Sequence, residues 1–160
     1  MEIDPSFKNA YLNYGIALYC QKNYDEAINF YLNALKLDDT DRSIYFNLGN
    51  AYANKGKFDE AIKFYSSAID LDSNYDKAYN NLGLILKRQG RIEEAITNYE
   101  KAVKINPTYK KSFKNLGIVY DKLGKNEEAS KCYARIVELD PSCMQSLLAY
   151  ELSINKLNKK

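Results

Sequence analysis

Gly15, Gly49, Gly83 and Gly117 stand 34 residues apart, and the chain around them repeats at the same interval. Ala27, Ala61, Ala95 and Ala129 keep the step, as do Tyr31, Tyr65, Tyr99 and Tyr133. A fixed period of this length marks stacked supersecondary units, not one globular core. Each unit of such an array touches only its neighbours, so function is sought on a repeat surface and no separate catalytic domain is expected.

Starting the unit at Lys8, Arg42, Asp76 and Lys110 makes the glycine its eighth residue and gives repeats at 8–41, 42–75, 76–109 and 110–143. Residues 1–7 then precede the array, and 144–160 follow it. In the second repeat Tyr45, Leu48, Tyr52 and Lys55 recur every three or four residues, as do Ala61, Phe64 and Tyr65, Ala68 and Ile69, and Leu71 and Asp72. These are two helical stripes separated by a break. The break holds Gly56, Gly90 and Gly124 in the later repeats and Lys22-Asn23 in the first, and Gly or Asn is what a helix C-terminus prefers. Each unit is thus helix, turn, helix, and the fold is all-α.

The second helix opens on an acidic pair in every repeat: Asp25-Glu26, Asp59-Glu60, Glu93-Glu94 and Glu127-Glu128. A carboxylate there faces the positive end of the helix dipole, worth about 0.3–1 kcal/mol when exposed. Catalytic acids and bases would have no reason to recur at every helix start. A glycine inside a helix costs about 1 kcal/mol relative to alanine, so Gly15 and its counterparts require a compensating close approach of another helix. Ala27 and Ala34 with their counterparts keep the second helix tight, and Tyr31 and its counterparts fill the remaining space. Ile136 takes the place of the second alanine in the fourth repeat, so packing is expected to change there.

A formal charge of +2 indicates neither a nucleic-acid binder nor an acidic tail. No apolar run approaches the roughly 20 residues of a membrane-spanning helix. The start, Met1-Glu2-Ile3-Asp4-Pro5, has neither the basic residues nor the apolar stretch of a secretory signal. Cys20, Cys132 and Cys143 are odd in number and lack metal-ligand spacing, which suits reduced packing thiols in a cytosol-like compartment, cytoplasmic or nuclear. With no His, no phosphate-cradling glycine loop and no cysteine beside a base, neither catalysis nor a metal or cofactor is expected within these residues.

The pattern resembles that of the tetratricopeptide repeat family. That family's unit has an aromatic at its fourth position, here Tyr11, Tyr45, Tyr79 and Phe113, followed by Leu-Gly, here Leu48-Gly49, Leu82-Gly83 and Leu116-Gly117, with Tyr14-Gly15 a near match. Pro107 and Pro141 supply the late proline in two repeats, while Asp39, Ser73 and Ile136 depart from the pattern. Four copies in phase make the resemblance specific. It implies a right-handed superhelical solenoid. Ile3-Asp4-Pro5-Ser6 resembles Leu139-Asp140-Pro141-Ser142, so the first residues are expected to be the end of a preceding repeat in a longer array. Beyond Cys143, Leu147, Leu148, Tyr150, Ile154 and Leu157 form one more stripe, with Glu151 at the glycine position. That resembles a capping helix with a polar outer face, followed by a solvated tail of Lys156, Lys159 and Lys160.

The resemblance also implies that the first helices line a concave groove. The sixth position of every repeat, a groove position in the family, is an asparagine: Asn13, Asn47, Asn81 and Asn115. A carboxamide both donates and accepts, so a row of them could clamp the backbone of an extended peptide, similar to the asparagine ladder of O-linked N-acetylglucosamine transferases. The alternative is that they satisfy neighbouring helix groups or solvent. The first two repeats contribute a neutral wall that includes Leu12, Ile16, Tyr19, Phe46, Asn50 and Asn54, whereas the last two contribute Lys77, Lys87, Arg88, Lys111, Lys114 and Lys122 against Asp121. One sign of charge would draw an acidic ligand toward repeats three and four, unless this is only a solvated face. The carboxylate clamp of co-chaperone members is incomplete: Asn50, Asn81 and Lys111 fit it, but Phe46 and Asn115 replace its Lys and Arg.

The expected role is a scaffold that binds a peptide segment of another protein. The alternatives are a substrate-recognition arm of a larger enzyme such as a glycosyltransferase, and a co-chaperone that takes an acidic chaperone tail. Nucleic-acid binding is disfavoured, because the basic residues lack aromatic interleaving. End-to-end self-association through the first repeat or the last helix is a further option.

Overall fold

The computed structural model describes residues 5–157. Among them are nine helices and no strand: α1 (Pro5–Cys20), α2 (Tyr24–Leu37), α3 (Arg42–Asn54), α4 (Phe58–Leu71), α5 (Asp76–Arg88), α6 (Ile92–Ile105), α7 (Lys110–Lys122), α8 (Asn126–Leu139) and α9 (Met144–Leu157). The described chain is all-helical, as the 34-residue period predicts. No described helix is long and apolar enough to cross a membrane. The helices fall into two compact units, Met1–Ile85 and Leu86–Lys160.

In the first unit α1 packs on α2, α2 on α3, and α3 on α4. The interior around α1 to α3 is built from Leu18, Ala27, Ile28, Tyr31, Ala34, Ile44, Leu48 and Ala51, with Tyr11, Phe30 and Phe64 packed against it. In the second unit α6 meets α7, α7 meets α8, and α8 meets α9. Ala95, Tyr99, Ala102, Leu116, Val119, Ala129, Tyr133 and Ile136 are buried there.

Gly15, Gly49 and Gly117 owe their identity to the tyrosines sixteen residues on. A Cβ on Gly15 would lie 2.6 Å from the Tyr31 ring, one on Gly49 2.6 Å from Tyr65, and one on Gly117 2.8 Å from Tyr133. These three repeats close their helix pairs by laying an aromatic ring on bare backbone, which recovers in packing what glycine loses in helix propensity.

The turns follow the same logic with a different requirement. Gly56, Gly90 and Gly124 have φ of 74°, 80° and 71°, and Lys22 takes the left-handed conformation at 66° in the first repeat. A side chain there is disfavoured by about 1–2 kcal/mol, partly offset by the entropy glycine would lose on folding. Lys22→Gly is therefore expected to stabilise the chain by about 0.5–1 kcal/mol in a thermal melt. A decrease would show that this turn carries no strain.

The second helices α2, α4, α6 and α8 have no side-chain N-cap, and each carries the expected acidic pair in its first turn. Their C-terminal ends hold a pattern that sequence reading passed over. Asp38, Asp72, Asn106 and Asp140, again 34 apart, each terminate a second helix. Asp38 accepts hydrogen bonds from Thr40 N at 2.9 Å and Thr40 Oγ1 at 2.7 Å. Asn106 accepts from Thr108 in the same way, Asp72 from Asn74 N, and Asp140 from Ser142 Oγ. Three of these carboxylates also bind the residue that opens their own repeat: Lys8 Nζ meets Asp38 at 2.9 Å, Arg42 meets Asp72, and Lys110 Nζ meets Asp140 at 2.8 Å.

The Thr40 hydroxyl, the Lys8 ammonium and the Thr40 N–H together hold the Asp38 carboxyl down from 3.8 to about 2. Because the folded value lies below the unfolded one, this stabilisation is complete above the unfolded pKa and fades as pH falls toward about 2. Lys8→Met removes the second of these causes and is expected to move the acid-unfolding midpoint to higher pH, followed by far-ultraviolet circular dichroism. An unmoved midpoint would mean that the pair contributes nothing.

Two expectations for the C-terminal end change. Lys156 is not tail: it lies in α9 and its ammonium binds Asp121 on α7. Lys159 and Lys160 lie outside the described residues, as do Ile3 and Asp4 of the segment likened to a preceding repeat, whereas Pro5 and Ser6 open α1. The outer side of α9 is mixed: Gln145, Glu151, Asn155 and Lys156 are exposed, and so are Met144, Leu148 and Leu152, at 74%, 58% and 52%. Its buried side is partly polar, with Ser146 and Ser153. Among the cysteines only Cys132 is a buried packing residue, its thiol pushed up to about 12 chiefly by burial. Cys20, the last residue of α1, is exposed, and Cys143 is half-buried.

Candidate functional site

In the first unit the geometry centres on Asn50 of α3. Its Oδ1 accepts from Tyr65 Oη and from Asn81 Nδ2, both at 2.8 Å. Asn80 Nδ2 donates to Asn81 Oδ1 at 3.0 Å, and Asn54 Nδ2 donates both to Tyr19 Oη at 2.8 Å and to the Asn50 carbonyl at 2.9 Å. Two donors on one oxygen fix the rotation of the Asn50 amide, and its Nδ2 group is left without a partner among the described residues. Polar groups tied this way are preorganised, because their rotamers are set before any ligand arrives.

The asparagine row is therefore engaged unevenly. Asn81 binds a ninth-position residue of the preceding repeat, not its row mate Asn47. Asn13 is exposed on α1 and Asn47 half-buried on α3, and neither has a side-chain hydrogen bond among the described residues. Asn115 is half-buried on α7. Lys77 is exposed on α5 in the first unit. The aromatic neighbours of this wall also form a cluster: Phe46 packs 5.0 Å from Tyr75 and 5.9 Å from Tyr65, and the Arg42 guanidinium lies 4.7 Å above the Tyr75 ring.

In the second unit the expected basic residues separate into two groups. Lys111 and Lys114 are exposed on α7, and Lys114 reaches Gln145 Oε1 only at 3.5 Å. Lys87, Arg88 and Lys122 are drawn together at the ends of α5 and α7. Partial burial lowers the Lys87 pKa, and the neighbouring Lys122 and Arg88 charges lower it further. Asp121, the one acid expected on this face, is taken up by Lys156. Beside the cluster is a hollow of about 270 Å³ lined by Lys87, Ile92, Val119, Lys122 and Leu123. The lysines were legible as groove positions. The three apolar residues were not, because they come from the start of one helix and the end of another.

A family model for the TPR repeat matches residues 17–56 and 49–90, and one for the tetratricopeptide repeat matches 76–109 and 111–143. No curated protein matches the chain in sequence. Among solved structures, a MamA protein is 24% identical with a TM-score of 0.82, over 95% of this chain and 83% of that one. The pilF protein of Pseudomonas aeruginosa is 22% identical with a TM-score of 0.84, over 96% and 70%. The first TPR of Spaghetti (RPAP3), bound to the HSP90 peptide SRMEEVD, is 25% identical with a TM-score of 0.72, over 78% and 98%.

Proposed function

The chain belongs to the tetratricopeptide repeat family, whose repeats commonly mediate protein–protein interaction, and on that premise we propose that it is a scaffold holding an extended or helical peptide segment of another protein against the first helices of its repeats. The observation that carries this reading is the Asn50 amide, fixed by Tyr65 and Asn81 with its own donors unspent. A peptide carbonyl is the natural acceptor for such a group. Asn13, Asn47 and Asn115 extend the same chemistry along α1, α3 and α7, and Lys77, Lys87, Arg88, Lys111, Lys114 and Lys122 favour acidic character in the segment bound by repeats three and four. No reaction is assigned to these residues. The three free thiols favour a cytosol-like compartment, cytoplasm or nucleus.

The test is a selection of displayed peptides on the full chain, followed by anisotropy titration of the peptides retained. The triple variant Asn47→Ala, Asn81→Ala, Asn115→Ala is expected to weaken them at least about ten-fold, the loss of one to two net hydrogen bonds, with helicity unchanged. Equal affinity would sink the asparagine reading.

The neighbour with a chaperone peptide makes SRMEEVD a useful second probe. Asn50, Asn81 and Lys111 stand at clamp positions, but Phe46 is packed between Tyr65 and Tyr75 where a lysine would be needed. Peptides with internal acidic residues are expected to bind more tightly than SRMEEVD, and the reverse order would favour a co-chaperone role.

A further inference from the structure

Neither Lys87 nor Lys122 has an ion-pair partner among the described residues, yet Lys87 is half-buried, and burial first, then the Lys122 and Arg88 charges, lower its proton affinity. A partly buried cation set among other cations is unfavourable unless an anion compensates it. The adjoining hollow of about 270 Å³ is walled by Ile92, Val119 and Leu123. Leu123 closes α7 with 48% of its surface exposed, which leaves apolar area that a ligand could cover. An apolar cavity of about 150 Å³ accepts a benzene molecule, so the hollow has room for one large side chain.

We propose that this hollow in the second unit is an anchor site for a peptide that carries an aliphatic side chain next to a glutamate or aspartate, the aliphatic group resting on Ile92, Val119 and Leu123 and the carboxylate lying between Lys87 and Lys122. The inference rests on the peptide-binding reading and adds to it a required pair of residue types. Apolar contact alone would not select among the many exposed leucines of other proteins, and two lysines alone would take any anion. Side by side they demand both features at once, which is how a small site becomes specific.

A peptide array on which one aliphatic and one acidic position are varied independently, probed with the full chain, tests this. Binding is expected to fall at least ten-fold when either the aliphatic residue becomes alanine or the acid becomes its amide. Lys87→Glu with Lys122→Glu should remove the dependence on the acid, and Leu123→Ala should weaken the aliphatic preference, with circular dichroism showing both variants folded. If the array binds but is indifferent to these substitutions, the anchor site is wrong and the scaffold reading stands. If no peptide binds, both fall. Retention of inorganic phosphate or of acidic peptides regardless of the aliphatic position would likewise overturn the paired requirement.

Discussion

Gly49→Val is expected to unfold the second repeat, and even Gly49→Ala should cost about 1–3 kcal/mol although alanine is the better helix former. The added Cβ would lie 2.6 Å from two carbons of the Tyr65 ring and 3.1 Å from a third. It meets the body of the ring and not a flexible end. Tyr65 cannot swing away, because it is 2% exposed and its hydroxyl is held by Asn50. The roughly 1 kcal/mol that alanine gains in propensity is smaller than the overpacking it causes. Tyr65→Ala, which leaves a cavity, should itself cost about 3–5 kcal/mol by analogy with other large-to-small aromatic changes. Gly49→Ala combined with Tyr65→Leu should cost less than the two single changes added together, since each relieves the other. Urea unfolding of the four proteins gives the cycle, and strict additivity would mean that glycine and tyrosine are not a matched pair.

Reversal of Lys77, Lys111 and Lys114 to glutamate is the second large effect expected. Three reversals change the formal charge by six, from +2 to −4. Affinity for acidic peptides recovered from the display selection should fall about a hundred-fold at low salt, with much of the loss in the association rate. All three side chains are exposed, so the fold should survive and the effect should shrink as salt is added. Isothermal titration at two ionic strengths reads this directly. Acidic peptides that bind the reversed protein as well as the original would remove these lysines from the interface.

The glycine and tyrosine positions show how much could be read without coordinates. Both lie on the 34-residue ruler, and a helical glycine followed sixteen residues later by a tyrosine has few explanations other than contact across a helix pair. The carboxylate ladder at Asp38, Asp72 and Asp140 lay on the same ruler and was passed over. Aspartate at a helix end reads locally as a turn residue, and only the return of the chain reveals that it also meets the first residue of its own repeat. Asn50 was legible as a groove residue, but its pairing with Asn81 instead of an Asn47–Asn81 rung was not.

The sequence by itself determined the helices, their pairing into repeats, the glycines at the turns and the family, because these follow from propensity and period along neighbouring residues. Tertiary structure alone decided which amides meet, that Lys156 takes up Asp121, and that two lysines and three apolar side chains share one hollow. Those contacts join positions on different helices, and the rotation of one helix about its axis relative to the next is set by the packing of the whole repeat.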